Sequence, residues 1–288
     1  MRSTAKLVLV GLLALTPALY PIDLSGLDLG GIDPLKITEI LTKGVKSFSD
    51  VPVEKEVAIG RDVSAGLLGT MPLVDDPAAQ TYVNGIGRWL ALQTERPDLP
   101  WTFGVIDTDT VNAFAAPGGY VFVTRGLFVM LRNEAELAGV LGHEIAHVLR
   151  RHHLQAIESR LRTEVAADVA GMLVEYDSDA VDVLVDAGME VYAKGLDRED
   201  ELEADRMGVV VAARSGYDPY GLPAMLLSLY ERDSNDQALA FLVSTHPPAG
   251  DRLRQLDEAM AGTLDAYSGA VGQTRRFQDV RKRLLEDH

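Results

Sequence analysis

The 288-residue chain is 47% apolar and 24% charged, enough for one large packed domain or two small ones. A formal net charge of −16, with no long basic stretch, argues against nucleic acid as a partner. No cysteine is present, which excludes disulfides, thiolate metal ligands, a thiol nucleophile and a lipid on Cys. Arg2 and Lys6 precede an apolar run from Leu7 to Leu15, and Thr16-Pro17-Ala18 follows. The run falls short of the roughly 20 apolar residues a membrane span needs. Residues 1–18 are therefore predicted to be a signal peptide rather than an uncleaved anchor, sending the chain to the periplasm or otherwise out of the cytoplasm. Association with the envelope membrane stays open. Residues 19–50, rich in Gly, Asp and Pro, are predicted to be a linker or leader.

A main domain is predicted over 51–261. Its first helix runs from Val53-Glu54 to about Leu68, and a second from Asp76 to Glu95, where Ala79, Tyr82, Val83, Ile86 and Leu90 keep helical spacing. The period then changes. Trp101, Phe103 and Val105 alternate, and Val111 to Ala115 and Tyr120 to Thr124 are short β-like runs around the turn signal Pro117-Gly118-Gly119. A small antiparallel sheet is predicted here. Asn133 is a candidate N-cap for a helix that continues past His152. Further helices are predicted around 155–174, 178–194, 198–214, 219–231 and 250–261, and residues 262–288 form a helical tail. The fold class is α+β, mainly helical.

His143-Glu144-Ile145-Ala146-His147 carries the chemistry. Residues four apart share a helix face, so two imidazoles can grip one metal ion with Glu144 beside them. Two imidazoles, a third ligand and an open position make a catalytic zinc site. His153 lies six residues after His147, but an unbroken helix turns it about 240° away. Position 150, where a chain-turning glycine would be needed, is Arg. His152 and His153 are predicted to be surface residues. The better third ligand lies in Glu201-Leu202-Glu203-Ala204-Asp205-Arg206-Met207-Gly208. Glu201, Ala204, Asp205 and Gly208 share one face, so Glu201 could ligate while Asp205 accepts a histidine ring N–H. Small Ala204 and Gly208 would let that face approach the metal helix closely. Spacing alone equally allows a charge-rich, solvated helix. Glu203 is predicted to face solvent.

The string Asn112-Ala113-Phe114-Ala115-Ala116-Pro117-Gly118-Gly119-Tyr120, then His143 to His147, Glu201-x-x-Ala204-Asp205 and Thr245-His246-Pro247-Pro248 resembles a zinc metallopeptidase family. It is that of the CAAX prenyl protease type 1 and HtpX proteins, gluzincins in which the Glu of E-x-x-A-D is the third zinc ligand. The match spans about residues 50–260 and is closest in kind to the soluble, secreted bacterial branch. Asp197-Arg198 stands where the family often has Ser-Arg. The resemblance implies a zincin-like domain with the sheet packed beside the active-site helix, one Zn2+ per chain, and His143, His147 and Glu201 as ligands. It also places His246 and Arg252 near the metal and makes Asn112, Ala113 and Phe114 a substrate-binding edge strand.

On that reading Glu144 takes a proton from the attacking water and delivers it to the leaving amine. His246 and Arg252 are candidates to stabilise the oxyanion. His246 could instead plug the open metal position, Arg252 could be an ion-pair partner, and Asn112 could be a turn cap. The predicted activity is metalloendopeptidase hydrolysis of unfolded or misassembled cell-envelope polypeptides, a role in protein quality control. The alternative is a chaperone-like envelope protein that keeps the zinc fold and cleaves little.

Overall fold

A computed structural model describes residues 51–167, 179–232, 236–264, 267 and 270–286. The predicted signal peptide and leader lie outside the described residues, as do positions 168–174 of the helix predicted over 155–174. Helix α1 (Val53–Thr70) buries Ile59, Val63 and Leu67. Helix α2 (Pro77–Ala91) begins where Pro77 presets the first turn and the Asp76 carboxylate accepts from the amides of Ala78 and Ala79, at 2.9 and 3.3 Å.

Three strands follow: β1 (Thr102–Ile106), β2 (Ala113–Ala116) and β3 (Tyr120–Thr124), in the order β1-β3-β2. β2 and β3 form the expected antiparallel hairpin, with Phe114 opposite Phe122. Gly118 (φ 75°) and Gly119 (φ 103°) turn between them through conformations an L side chain resists. β1, however, pairs with β3 in parallel, Phe103 opposite Val121, so the sheet is mixed rather than antiparallel throughout. The segment between β1 and β2 carries the chain across β3 before the hairpin forms. A strand pattern specifies burial, not direction.

Thr124 closes β3 and caps α3 (Arg125–Met130), a helix too short to show a period in sequence. Helix α4 (Glu134–Arg150) is capped by Asn133, whose side chain accepts from the Glu136 amide at 2.9 Å. Every residue from Glu134 to Leu149 is buried, the polar Glu134, Glu136, His143, Glu144 and His147 included. The helix does not continue past His152. Arg151 adopts a left-handed conformation (φ 58°, ψ 30°) and the chain reverses into α5 (His152–Ala167). Then come α6 (Asp179–Lys194), α7 (Arg198–Arg214), α8 (Gly221–Tyr230), a 3-10 turn (Gln237–Leu239), α9 (Ala240–Thr245), α10 (Ala249–Met260) and α11 (Arg275–Glu286). The turn, α3 and α9 had no counterpart among the predicted elements.

Helix α7 packs along α4 with almost no gap. A methyl on Gly142 would sit 2.7 Å from the Gly208 carbonyl oxygen, and one on Gly208 would sit 2.7 Å from the His143 nitrogen. The predicted close approach at Gly208 is therefore present. The C-terminal helix α11 belongs to the same core. Phe277, Val280 and Leu284 are buried, Phe277 stacks on Phe128 at 5.3 Å, and Arg283 pairs with Asp76 at 2.8 Å. No helix among the described residues is long and apolar enough to cross a membrane.

Candidate metal centre

Helix α4 presents His143 and His147 one turn apart, and their Nε2 atoms lie 3.0 Å from each other. Helix α7 brings Glu201 across the glycine contact. Its Oε2 is 3.7 Å from His143 Nε2 and its Oε1 is 3.5 Å from His147 Nε2. Three ligand atoms on one tetrahedral zinc stand about 3.3 Å apart, given bonds near 2.0–2.1 Å. The observed spacings bracket that value. All three side chains are at most 4% exposed.

The hydrogen bonds behind these atoms test whether a cation fits. Asp205 Oδ1 lies 2.9 Å from His143 Nδ1, so this nitrogen donates and Nε2 keeps a bare lone pair toward the centre. Glu201 Oε2 is buried and accepts no hydrogen bond. A buried carboxylate oxygen without a donor, facing imidazole lone pairs, is costly by itself and apt for a divalent ion. The donor set fits zinc: two nitrogens and a carboxylate, no thiolate.

Burial is the first cause of the shift at Glu144, raising its carboxyl to about 7 against the pull of His143 and Arg252. Burial also raises Glu201, again against His143 and Arg252. Asp205 moves the other way: burial opposes the shift, but Arg252 and His143 hold it well below the usual carboxylate range. Arg252 makes a two-pronged contact with that carboxylate. Its Nε and Nη2 donate to the two Asp205 oxygens at 2.8 and 2.5 Å, while Nη1 lies 3.8 Å from Glu201 Oε2. His246, at the end of α9, sets its Nε2 3.8 Å from Glu201 Oε2. Ligand atoms of His143, Glu201 and His246 gather within 4.8 Å of one another, so His246 stands where it could complete the set.

A narrow cleft opens beside Glu144 and is bordered by Asn112 to Ala115. Asn112 pairs with Thr124 through its own backbone N–H and C=O, so strand alternation turns the Ala113 and Ala115 backbone groups toward the cleft. Asn112 Oδ1 is buried and accepts no hydrogen bond. Phe114 also borders the cleft, and its ring packs with Phe122, Leu67 and Ile106.

Two expectations fail. His152 and His153 are buried, at 2% and 8% exposure, because the left-handed turn at Arg151 folds them back instead of carrying them round a continuous helix. His153 lines the cleft, its ring 5.5 Å from that of His147, and burial pushes it down to about 3. Glu203 is half-exposed as expected, yet it pairs with Arg150 at 2.9 Å and comes within 3.4 Å of His152. Two further residues carried no sequence signal. Tyr192 lines the cleft and donates to the Ala115 carbonyl at 2.6 Å. Glu56 ties α1 to Arg96 and Arg151 at 2.7 and 3.0 Å.

The profile of peptidase family M48 matches residues 77–260. The putative beta-barrel assembly-enhancing protease of Vibrio cholerae is 31% identical over 228 residues, 77% of this chain and 46% of that protein. The beta-barrel assembly-enhancing protease of Escherichia coli K12 is 31% identical over 217 residues, 73% of this chain and 45% of that protein. The mitochondrial metalloendopeptidase OMA1 of Schizosaccharomyces pombe is 29% identical over 249 residues, 82% of this chain and 72% of that protein. The chain thus spans about half the length of the bacterial relatives it matches. The CAAX prenyl protease and HtpX proteins are a sibling branch of the same family. A metal-apt pair of histidines on α4, a carboxylate from α7 and a profile covering more than half of the sequence agree: this chain belongs to peptidase family M48.

Proposed function

We propose that this protein is a zinc-dependent metalloendopeptidase that hydrolyses unfolded or misassembled cell-envelope polypeptides. The observation that carries the reading is the buried Glu201 carboxylate, whose donor-less Oε2 faces His143 Nε2 and whose Oε1 faces His147 Nε2, with Glu144 on the cleft side. His143, His147 and Glu201 would hold the ion. Zinc bound there supplies a Lewis acid that makes a water acidic near neutral pH. Glu144, buried beside the cleft, takes the proton of the attacking water and passes it to the departing amine. Asp205 holds the His143 ring by its Nδ1–H, and Arg252 keeps the Asp205 carboxylate charged and in place. That engagement supports the ion-pair role for Arg252 over direct oxyanion stabilisation.

An extended chain would lie along β2, using backbone groups of Ala113 and the Asn112 side-chain carbonyl, a mode with little sequence preference. The names of the bacterial relatives, which refer to beta-barrel assembly, and the charged-then-apolar N-terminus support an exported protein acting in the envelope. The test is a zinc assay paired with casein digestion by the purified chain. One zinc per chain and cleavage are expected. Glu144→Gln should keep the metal and lose at least about 100-fold in rate; undiminished cleavage by that variant removes Glu144 from the chemistry.

A further inference from the structure

We infer that His152 is a positioning residue: it accepts the Nδ1 proton of His147 and so holds the Nε2 lone pair of His147 on the metal site. The inference rests on the reading of His147 as a zinc ligand. His143 has a carboxylate behind it, Asp205, which fixes its ring. His147 has none. Its Nδ1 lies 2.9 Å from His152 Nδ1, with the two rings near edge-to-face at 71° and 5.1 Å between centroids.

Two facing ring nitrogens cannot both donate, so the proton between them belongs to one ring. The far side of His152 decides which. His152 Nε2 lies 3.4 Å from Glu203 Oε2 and 3.6 Å from Asp200 Oδ1, acceptors that draw its proton to Nε2. Nδ1 of His152 is then bare and takes the Nδ1–H of His147. That leaves His147 with its lone pair on Nε2, 3.0 Å from His143 Nε2 and 3.5 Å from Glu201. The same arrangement of outer partner, ring and inner lone pair serves both histidines, by a carboxylate at one and a neutral imidazole at the other.

The backbone is built to bring His152 there. Helix α4 stops at Arg151, the only non-glycine among the described residues with positive φ (58°). The Arg151 guanidinium is held 3.0 Å from the fully buried Glu56 carboxylate. Glu56 also takes two hydrogen bonds from Arg96, and Arg96 reaches the Val148 carbonyl at 3.3 Å. The reversal is thereby tied from α1, and His152 lands on His147 instead of on the surface.

The test uses the full chain, stripped of metal and titrated with zinc against a chelator of known affinity. His152→Leu removes the acceptor at similar bulk, and zinc affinity should fall about 10- to 100-fold. His152→Asn puts a carbonyl oxygen near the position of Nδ1 and should stay within about threefold of wild type, since it still accepts from His147. Equal weakening by both substitutions, or by neither, overturns the inference. A second measurement needs no variant: long-range nitrogen–proton NMR of the zinc-loaded wild type should show His147 protonated on Nδ1. A His147 ring protonated on Nε2 instead overturns the inference even if His152→Leu fails to fold. Failure of the wild type to bind zinc at all would bring down the metal reading itself, a result distinct from the others.

Discussion

His246 had two candidate roles in the sequence, and its position weighs between them. An oxyanion stabiliser has to leave the fourth metal position free, yet this imidazole gathers with His143 and Glu201. Burial, with Arg252 and His143 adding to it, keeps the ring neutral, the state in which a histidine ligates. His246→Ala is therefore expected to cleave casein at least as fast as wild type, measured as initial rate at saturating zinc. A loss beyond about tenfold would return the residue to the oxyanion role. At this scale the sequence was most legible where spacing translates directly into a helix face. His143, Glu144 and His147 follow from one turn of helix, whereas the spacing of Glu201 and Asp205 suits a solvated helix equally well and the family resemblance singles out Glu201. His152 was misplaced because helix arithmetic was carried through a residue that leaves the helix. No glycine marks that exit; an arginine makes it.

Helix pairing controls how closely the carboxylate approaches the imidazoles. The contact of α4 with α7 is a meeting of two glycines, and a Cβ at Gly208 would lie 2.7 and 2.9 Å from the His143 N and Cα. Backbone atoms cannot step aside as a flexible side chain can. Gly208→Ala is expected to cost about 1–3 kcal/mol in a urea melt and to weaken zinc binding at least about tenfold by pushing Glu201 outward. Unchanged zinc affinity would show that the helices can shift without opening the site. The element pattern was readable where periods were long, as in α1, α2, α4 and α7. It was unreadable for α3 and α9, each six residues, and for the parallel partnership of β1 with β3. Short helices leave too few turns for a period, and alternation carries no strand direction.

The molecule's core is shared among distant parts of the chain. Asp76 both caps α2 and pairs with Arg283 of α11, so one carboxylate joins the start of the domain to its C-terminal helix. The hydrogen bond from Arg283, opposed by burial and helped by the Ala78 and Ala79 amides, lowers its pKa below the ordinary value. The stability it contributes is therefore present above the usual aspartate range near pH 3.9 and is lost as pH falls through the lowered folded value. Asp76→Ala should cost about 1–2 kcal/mol at pH 7 from the cap alone, and the gap from wild type in urea melts should narrow at pH 3. A gap that persists unchanged there would mean the charge contributes nothing. The predicted C-terminal tail could be seen in sequence as a helix, but not its docking: a three-residue apolar stripe gives a face without naming the surface that receives it.

The twist at Arg151 sets two demands against each other. An L-residue held left-handed bears a torsional penalty of roughly 1–2 kcal/mol that glycine would escape. Glycine, though, has no guanidinium with which to grip Glu56. Torsional comfort and tether cannot both be had from one side chain, and this chain keeps the tether. The alignment of a ring deep in the cleft is thus anchored by a knot tied on α1, a helix with no residue lining the cleft.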